Sequence, residues 1–139
     1  MGKNEIYAVV DTNVFVSALL SSQKVSNPTI VIREVLRGRI TPLYNDEILD
    51  EYREVLSRDK FHIKQTSIET VLAHIRNEGL KVDRTKVFDE IFPDPKDIVF
   101  YEVTLSKDDA YLVTGNIKHF PKKPFVVTPA EMVAILNKQ

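Results

Sequence analysis

Ile6-Tyr7-Ala8-Val9-Val10-Asp11-Thr12-Asn13 is the stretch from which the fold is read. A short apolar, β-branched run ends abruptly in a carboxylate, and an apolar-periodic segment follows at once. A run of this kind reads as a central strand of a parallel sheet, with Asp11 at its carboxyl end. In open α/β sheets that edge is where ligands bind. Two roles suit Asp11: an N-cap for the helix that follows, or a ligand on the binding edge.

Working outward, Val14, Phe15, Ala18 and Leu19 recur at helical spacing, and Ser21 to Lys24 closes that segment as a loop. Asn27-Pro28 reads as an N-cap followed by proline at the first helical position, with Gly38 past the helix end. Ile40 to Tyr44 is a short strand, and Asn45-Asp46-Glu47 opens a helix running to about Arg58. Thr66-x-x-Glu69 reads as a capping box for a helix that stops at Gly79. Leu80 to Val82 is a further short strand. Asp94-Pro95 starts another helix, Ala110 to Thr114 and Phe125 to Thr128 are strands, and Thr128-Pro129-x-Glu131 caps a terminal helix. Strands alternating with helices predict α/β architecture with a mainly parallel sheet.

The 139 residues fit one compact domain spanning 1–139, with 43% hydrophobic and 28% charged residues as in an ordinary globular protein. Cysteine is absent, which excludes a disulfide framework and cysteine-ligated zinc. No apolar run approaches the roughly 18 residues of a membrane span. The opening Met1 to Glu5 lacks the apolar core of a signal peptide, so a cytoplasmic location is expected. Lys plus Arg is 19 against 20 for Asp plus Glu. That balance argues against polyanion binding by the whole surface and leaves room for a local basic patch.

Most of the acids belong to a solvated surface, and the informative ones are those that patterning does not explain. On the helix from Asn45, Ile48, Leu49, Tyr52, Val55 and Leu56 form one apolar stripe. Glu51 lies about 40° from Val55 on the helical wheel, nearer the buried edge than the other acids. It is either a boundary residue reaching water or a partner of Arg58, or it belongs to a site. In Phe92-Pro93-Asp94-Pro95-Lys96-Asp97-Ile98-Val99-Phe100-Tyr101, Asp94 carries an N-cap signature, with proline next. Asp97 stands one turn in, at the mouth of a largely apolar helix, where the dipole favours negative charge. Glu102 is about 140° around the axis from Asp97 and does not converge with it. Finally, Tyr111-Leu112-Val113-Thr114-Gly115-Asn116 is a strand that ends in small polar residues, near the edge where Asp11 is placed.

Together these segments resemble the PIN domain family of nucleases. The resemblance rests on Val10-Asp11-Thr12-Asn13-Val14, on Glu51 in Leu49-Asp50-Glu51-Tyr52, on Asp94-Pro95-Lys96-Asp97-Ile98-Val99-Phe100, and on Leu112-Val113-Thr114-Gly115-Asn116. It is strongest to the bacterial and archaeal branch described as toxin components of toxin–antitoxin modules, in which Thr-Gly-Asn is often followed by Lys-His-Phe-Pro, as at Lys118 to Pro121 here. It implies a three-layer α/β/α sandwich around a mainly parallel sheet, and metal-dependent endonucleolytic cleavage of RNA. Asp11, Glu51 and Asp97 carry over as catalytic residues and ligands of Mg²⁺ or Mn²⁺, with Asn116 a weaker ligand. PIN nucleases commonly place an acid at the position of Asn116, and an amide oxygen brings no charge for a second metal. Asp94 is a candidate to supply that charge.

Hard oxygen ligands without a Cys or His cluster select Mg²⁺ or Mn²⁺ over zinc. Asn13 and Thr114 are placed to orient Asp11 and metal-bound water. Lys118, His119, Lys122 and Lys123 follow the Asn116 turn, and Arg58, Lys60, His62 and Lys64 form a second basic cluster; such groups contact RNA phosphates. The family also suggests a homodimer and a cognate antitoxin, and no membrane association. The competing expectation is a PIN-like module that binds RNA or protein with weak or no cleavage, because of Asn116. A phosphoacceptor role for Asp11 requires neighbouring acids that Val9-Val10 and Asn13 do not provide.

Overall fold

The computed structural model describes residues 5–21, 25–85 and 92–139. Strands β1 (Ile6–Val10), β2 (Ile40–Tyr44), β3 (Leu80–Lys81), β4 (Tyr111–Val113) and β5 (Val126–Val127) form one sheet of order β3-β2-β1-β4-β5. Every pairing is parallel. Among the described residues, six helices flank the sheet: α1 (Thr12–Leu20), α2 (Asn27–Leu36), α3 (Asp46–Leu56), α4 (Gln65–Glu78), α5 (Ile98–Leu105) and α6 (Pro129–Asn137). This is the α/β sandwich expected from the alternation of strands and helices. None of the described helices is long and apolar enough to cross a membrane.

β1 is central because Ala8, Val9 and Val10 are fully buried and tolerate packing on both faces. From β1 the chain moves to β2 on one side, and later to β4 on the other. The strand order therefore reverses between β1 and β4, and a crevice opens at their carboxyl ends. Asp11 and Thr114 are the residues that follow those two strands.

Pro42 lies inside β2 opposite Ala8, although proline removes a ladder donor. Pairing with β3 begins only at Leu43, so the missing N–H is not needed on that side. Gly79 ends α4 against this segment. A Cβ there would stand 2.4 Å from the Ile75 carbonyl and 2.6 Å from that of Pro42. Only glycine lets α4 turn into β3 so close to β2.

Two expected caps differ. The N-cap of α2 is Ser26, whose hydroxyl accepts from the Thr29 N–H, so Asn27 is already the first helical residue. The capping box at Thr66 does not form. α4 begins at Gln65, and the Glu69 carboxylate is held by Arg53 on α3 and by Gln65 Nε2 at 2.8 Å. A cross-helix ion pair has taken the group that the local motif would have used. The capping box at Thr128 and Glu131 forms as expected. Of the loop from Ser21 to Lys24, all beyond Ser21 lies outside the described residues, as does Met1 to Asn4.

Candidate active site at the carboxyl edge of the sheet

Asp11 occupies the N-cap position of α1, but its side chain makes no capping bond. Its carboxylate is turned instead across the sheet edge. Thr114 Oγ1 donates to Asp11 Oδ2 at 2.7 Å, and Asn13 Nδ2 donates to the same oxygen at 3.0 Å. The Thr114 hydroxyl also accepts from the Asn116 N–H at 3.0 Å, so its own proton is committed to Asp11. Asn13 Oδ1 accepts from the Gly115 N–H at 3.1 Å, and a Cβ at Gly115 would press on that oxygen at 3.3 Å. Asn13 of α1 and Thr114 after β4 thus both hold the Asp11 carboxylate. Asp11 is only 6% exposed. Burial pushes its carboxyl above the ordinary range, against the pull of Thr114, the Thr12 backbone, His119 and Asn13.

Beneath Asp11 sits Tyr52 of α3, fully buried, its hydroxyl donating to the Val10 carbonyl. Its ring packs 4.8 Å from Phe15 and 6.2 Å from Phe100. Burial and the charge of Asp11 push the phenol well above its usual range. Tyr52 pins α3, and with it Glu51, to the end of β1. In the sequence it reads as one more residue of an apolar stripe, and nothing local marks its hydroxyl.

Asp97 ends a 3₁₀ turn, Pro95–Asp97, that runs directly into α5. Asp94 caps this turn as expected, accepting from the Lys96 N–H at 3.0 Å. The Asp97 side chain is 15% exposed, with His119 Nδ1 3.5 Å from its Oδ2. That oxygen is buried and has no hydrogen bond. Burial, then the charges of Asp11 and Asp94, push Asp97 up to about 6, with His119 opposing. Asp97 therefore feels the charge of Asp11 across the crevice.

Glu51 is half-buried and stands apart from this pair. Burial raises its carboxyl; the charges acting on it are Lys96, Glu54, Arg58 and Asp94. Arg58 is not its partner, because both ends of that guanidinium bond Glu54 at 2.9 Å. The expected convergence of three carboxylates is thus drawn as two and one: Asp11 with Asp97 in the crevice, and Glu51 beside Lys96. Among the described residues no three His, Cys, Asp or Glu side chains form a ready cation cage. Lys96 offers Glu51 a counter-charge that opposes the effect of burial.

Asn116 is exposed, and its visible role is the backbone N–H that fixes Thr114. Among the described residues its amide makes no hydrogen bond. Lys118, Lys122 and Lys123 are exposed on the same edge, while His119 faces Asp97. In the second basic cluster Arg58 is neutralised by Glu54, and Lys60 lies over the Phe61 ring at 5.2 Å. The donor set of the crevice consists of hard oxygens, one of them a buried carboxylate oxygen with no hydrogen bond. A divalent cation of the Mg²⁺ or Mn²⁺ type fits such a set, because it offsets the burial that raises both carboxyls and the like charges that raise Asp97.

The PIN domain profile matches residues 7–118, from β1 through the Asn116 turn. The chain belongs to the PIN domain family. Its fold is similar to that of a chain in the crystal structure of VapBC2 from Rickettsia felis bound to a DNA fragment from their promoter. That match has a TM-score of 0.58 at 17% identity and covers 88% of this chain and 97% of the other. No curated protein matches the chain.

Proposed function

We propose that this PIN domain protein is a Mg²⁺- or Mn²⁺-dependent endoribonuclease that hydrolyses RNA phosphodiester bonds. The observation that carries this reading is the pair Asp11 and Asp97. They are a buried and a partly buried carboxylate at a topological switch point, the second raised to about 6 and holding a buried oxygen with no hydrogen bond. Acids in this condition suit a polyvalent cation, and clefts with perturbed acids are favoured sites of chemistry.

In this reading Asp11 and Asp97 hold the ion, and Glu51 completes its shell from the mouth of the crevice, with Asn116 as a weaker oxygen donor and Asp94 as a reserve of negative charge. An ion held there would lower the pKa of a coordinated water and offset charge on the scissile phosphate. Asn13 and Thr114 keep Asp11 in one orientation, which reduces the cost of assembling the site. Tyr52 fixes the depth of α3, and with it the reach of Glu51. Lys118, Lys122 and Lys123, with His119, Arg58 and Lys60 further out, position the phosphates.

The likeness to the VapBC2 fold supports a toxin role with a cognate antitoxin; a homodimer, an antitoxin that covers the crevice and action in the cytoplasm are part of the same proposal. One observation favours a second reading, a PIN-like module that binds RNA or protein and cleaves poorly. Asn116 brings no charge, and only two of the three acids meet. The two readings separate in one experiment. Purified protein with Mn²⁺ or Mg²⁺ is expected to cut single-stranded RNA, and Asp11→Asn to abolish cutting. Cleavage that persists in excess EDTA overturns the metal mechanism, and RNA retention without cutting establishes the binding module.

A further inference from the structure

Glu34 is a buried carboxylate that the crevice does not use. It lies on α2, is 5% exposed, and has three guanidinium groups around it. Arg33 Nε is 3.7 Å and Arg37 Nη1 3.5 Å from Oε2, and Arg39 Nη1 is 3.6 Å from Oε1. Arg39 is further anchored by donating from Nη2 to the Leu136 carbonyl of α6 at 2.8 Å. One negative charge gathers three positive ones, so the cluster carries two charges in excess. The arginine side chains are 43%, 64% and 43% exposed, and most of their N–H groups are free of Glu34.

A simple surface ion pair does not need a buried carboxylate, because burying one is costly unless it is fully bonded. Glu34 Oε1 is buried and has no hydrogen bond, so the contact is not optimised for pairing. The arrangement holds three planar forks close together against their mutual repulsion. Such forks match phosphate geometry. The whole chain carries a net charge of only −1, so affinity for a polyanion must come from local clusters of this kind.

We propose that Arg33, Arg37 and Arg39, gathered by Glu34, form a second phosphate-binding site that grips the backbone of the RNA strand away from the crevice. The position follows from register. Ile40, next to Arg39, pairs with Ile6 at the start of β1, whereas Asp11 follows its end. At roughly 3.3 Å per residue the two edges lie about 16 Å apart. A strand held at both edges must run along the protein between them, so the cluster contributes to binding and leaves the reacting phosphate untouched. This inference rests on the nuclease reading, because that reading supplies the polyphosphate.

The test is fluorescence anisotropy in EDTA with a labelled single-stranded RNA of about 20 nucleotides across a salt series. Arg33→Gln/Arg37→Gln is expected to weaken binding about tenfold and to lower the salt slope by about 1.4, at roughly 0.7 per phosphate contact on a single strand. Arg53→Gln, which removes one charge from the ion pair with Glu69, serves as the charge control and is expected to leave both unchanged. Where the double variant fails to fold, Arg37→Gln alone carries the test, with about threefold loss and a slope change of about 0.7. Arginine variants that match the Arg53 control overturn the proposal and leave the nuclease reading intact. Wild-type protein that binds no RNA in EDTA also overturns the proposal, and the nuclease reading then stands or falls on cutting of the same RNA with Mn²⁺. Saturable binding of inorganic phosphate, lost in the double variant while RNA affinity is unchanged, assigns the cluster to a free anion and overturns its role in RNA binding.

Discussion

Replacing Asp97 with Asn is expected to stabilise the metal-free protein at neutral pH. Asp97 is held at about 6, against an ordinary 3.8, by burial and by the charges of Asp11 and Asp94. At about 1.4 kcal/mol per pH unit, keeping the folded carboxylate ionised costs about 3 kcal/mol. Below about pH 4 the group is protonated in both folded and unfolded chains, and the cost vanishes. Between roughly pH 4 and pH 6 the unfolded chain ionises while the folded one keeps its proton, so stability falls as pH rises. Above that window the cost is complete. Asparagine copies the neutral acid, so its gain should be absent near pH 4 and full near pH 7.5. Loss of the His119 contact and an amide in need of acceptors give some of this back, leaving about 1 to 2 kcal/mol. For a chain of this size that is about 3 to 8 °C in Tm. Thermal unfolding by circular dichroism, in EDTA at both pH values, measures it. A variant that melts lower at neutral pH, or gains equally at both, refutes the account of strained like charges. The same substitution should erase the heat of Mn²⁺ binding in calorimetry, and unchanged binding removes Asp97 from the site.

Further expectations concern the supports of the crevice. Thr114→Val deletes the donor to Asp11 and should cost about 1.5 to 3 kcal/mol at neutral pH, as for a hydrogen bond to a charged group. It should also raise the Asp11 carboxyl further, so that the deficit shrinks as pH falls and the acid becomes neutral; a deficit independent of pH in chemical denaturation argues against that role. Gly79→Ala must displace the Ile75 or Pro42 carbonyl and should destabilise by more than the roughly 1 kcal/mol spread of helix propensity. A melting temperature equal to wild type counts against the close approach of α4 to β2. Asn116→Asp adds the missing charge and should tighten Mn²⁺ binding in calorimetry, whereas an unchanged constant places that side chain outside the ion's reach.

Sequence by itself determined the element order and the sheet type. Apolar runs, helical periods and caps act within a few residues, so β1, β2, α3 and the Thr128 cap are legible locally. It also nominated Asp11, Asp97, Asn13 and Thr114, because acids and small polar groups at strand ends have no packing reason to be there. What only the tertiary structure decided is which groups meet. Thr114 reaches Asp11 across 103 residues because β4 lies beside β1. Tyr52 turns out to be a hydrogen-bonded prop beneath Asp11, a distinction invisible within an apolar stripe. Glu51 on α3 feels the charge of Lys96 from another element, and Glu69 pairs with Arg53 of α3 instead of capping its own helix. Short-range preferences are set by the chain's own spacing, whereas long-range electrostatics depends on distances that only the folded sheet establishes.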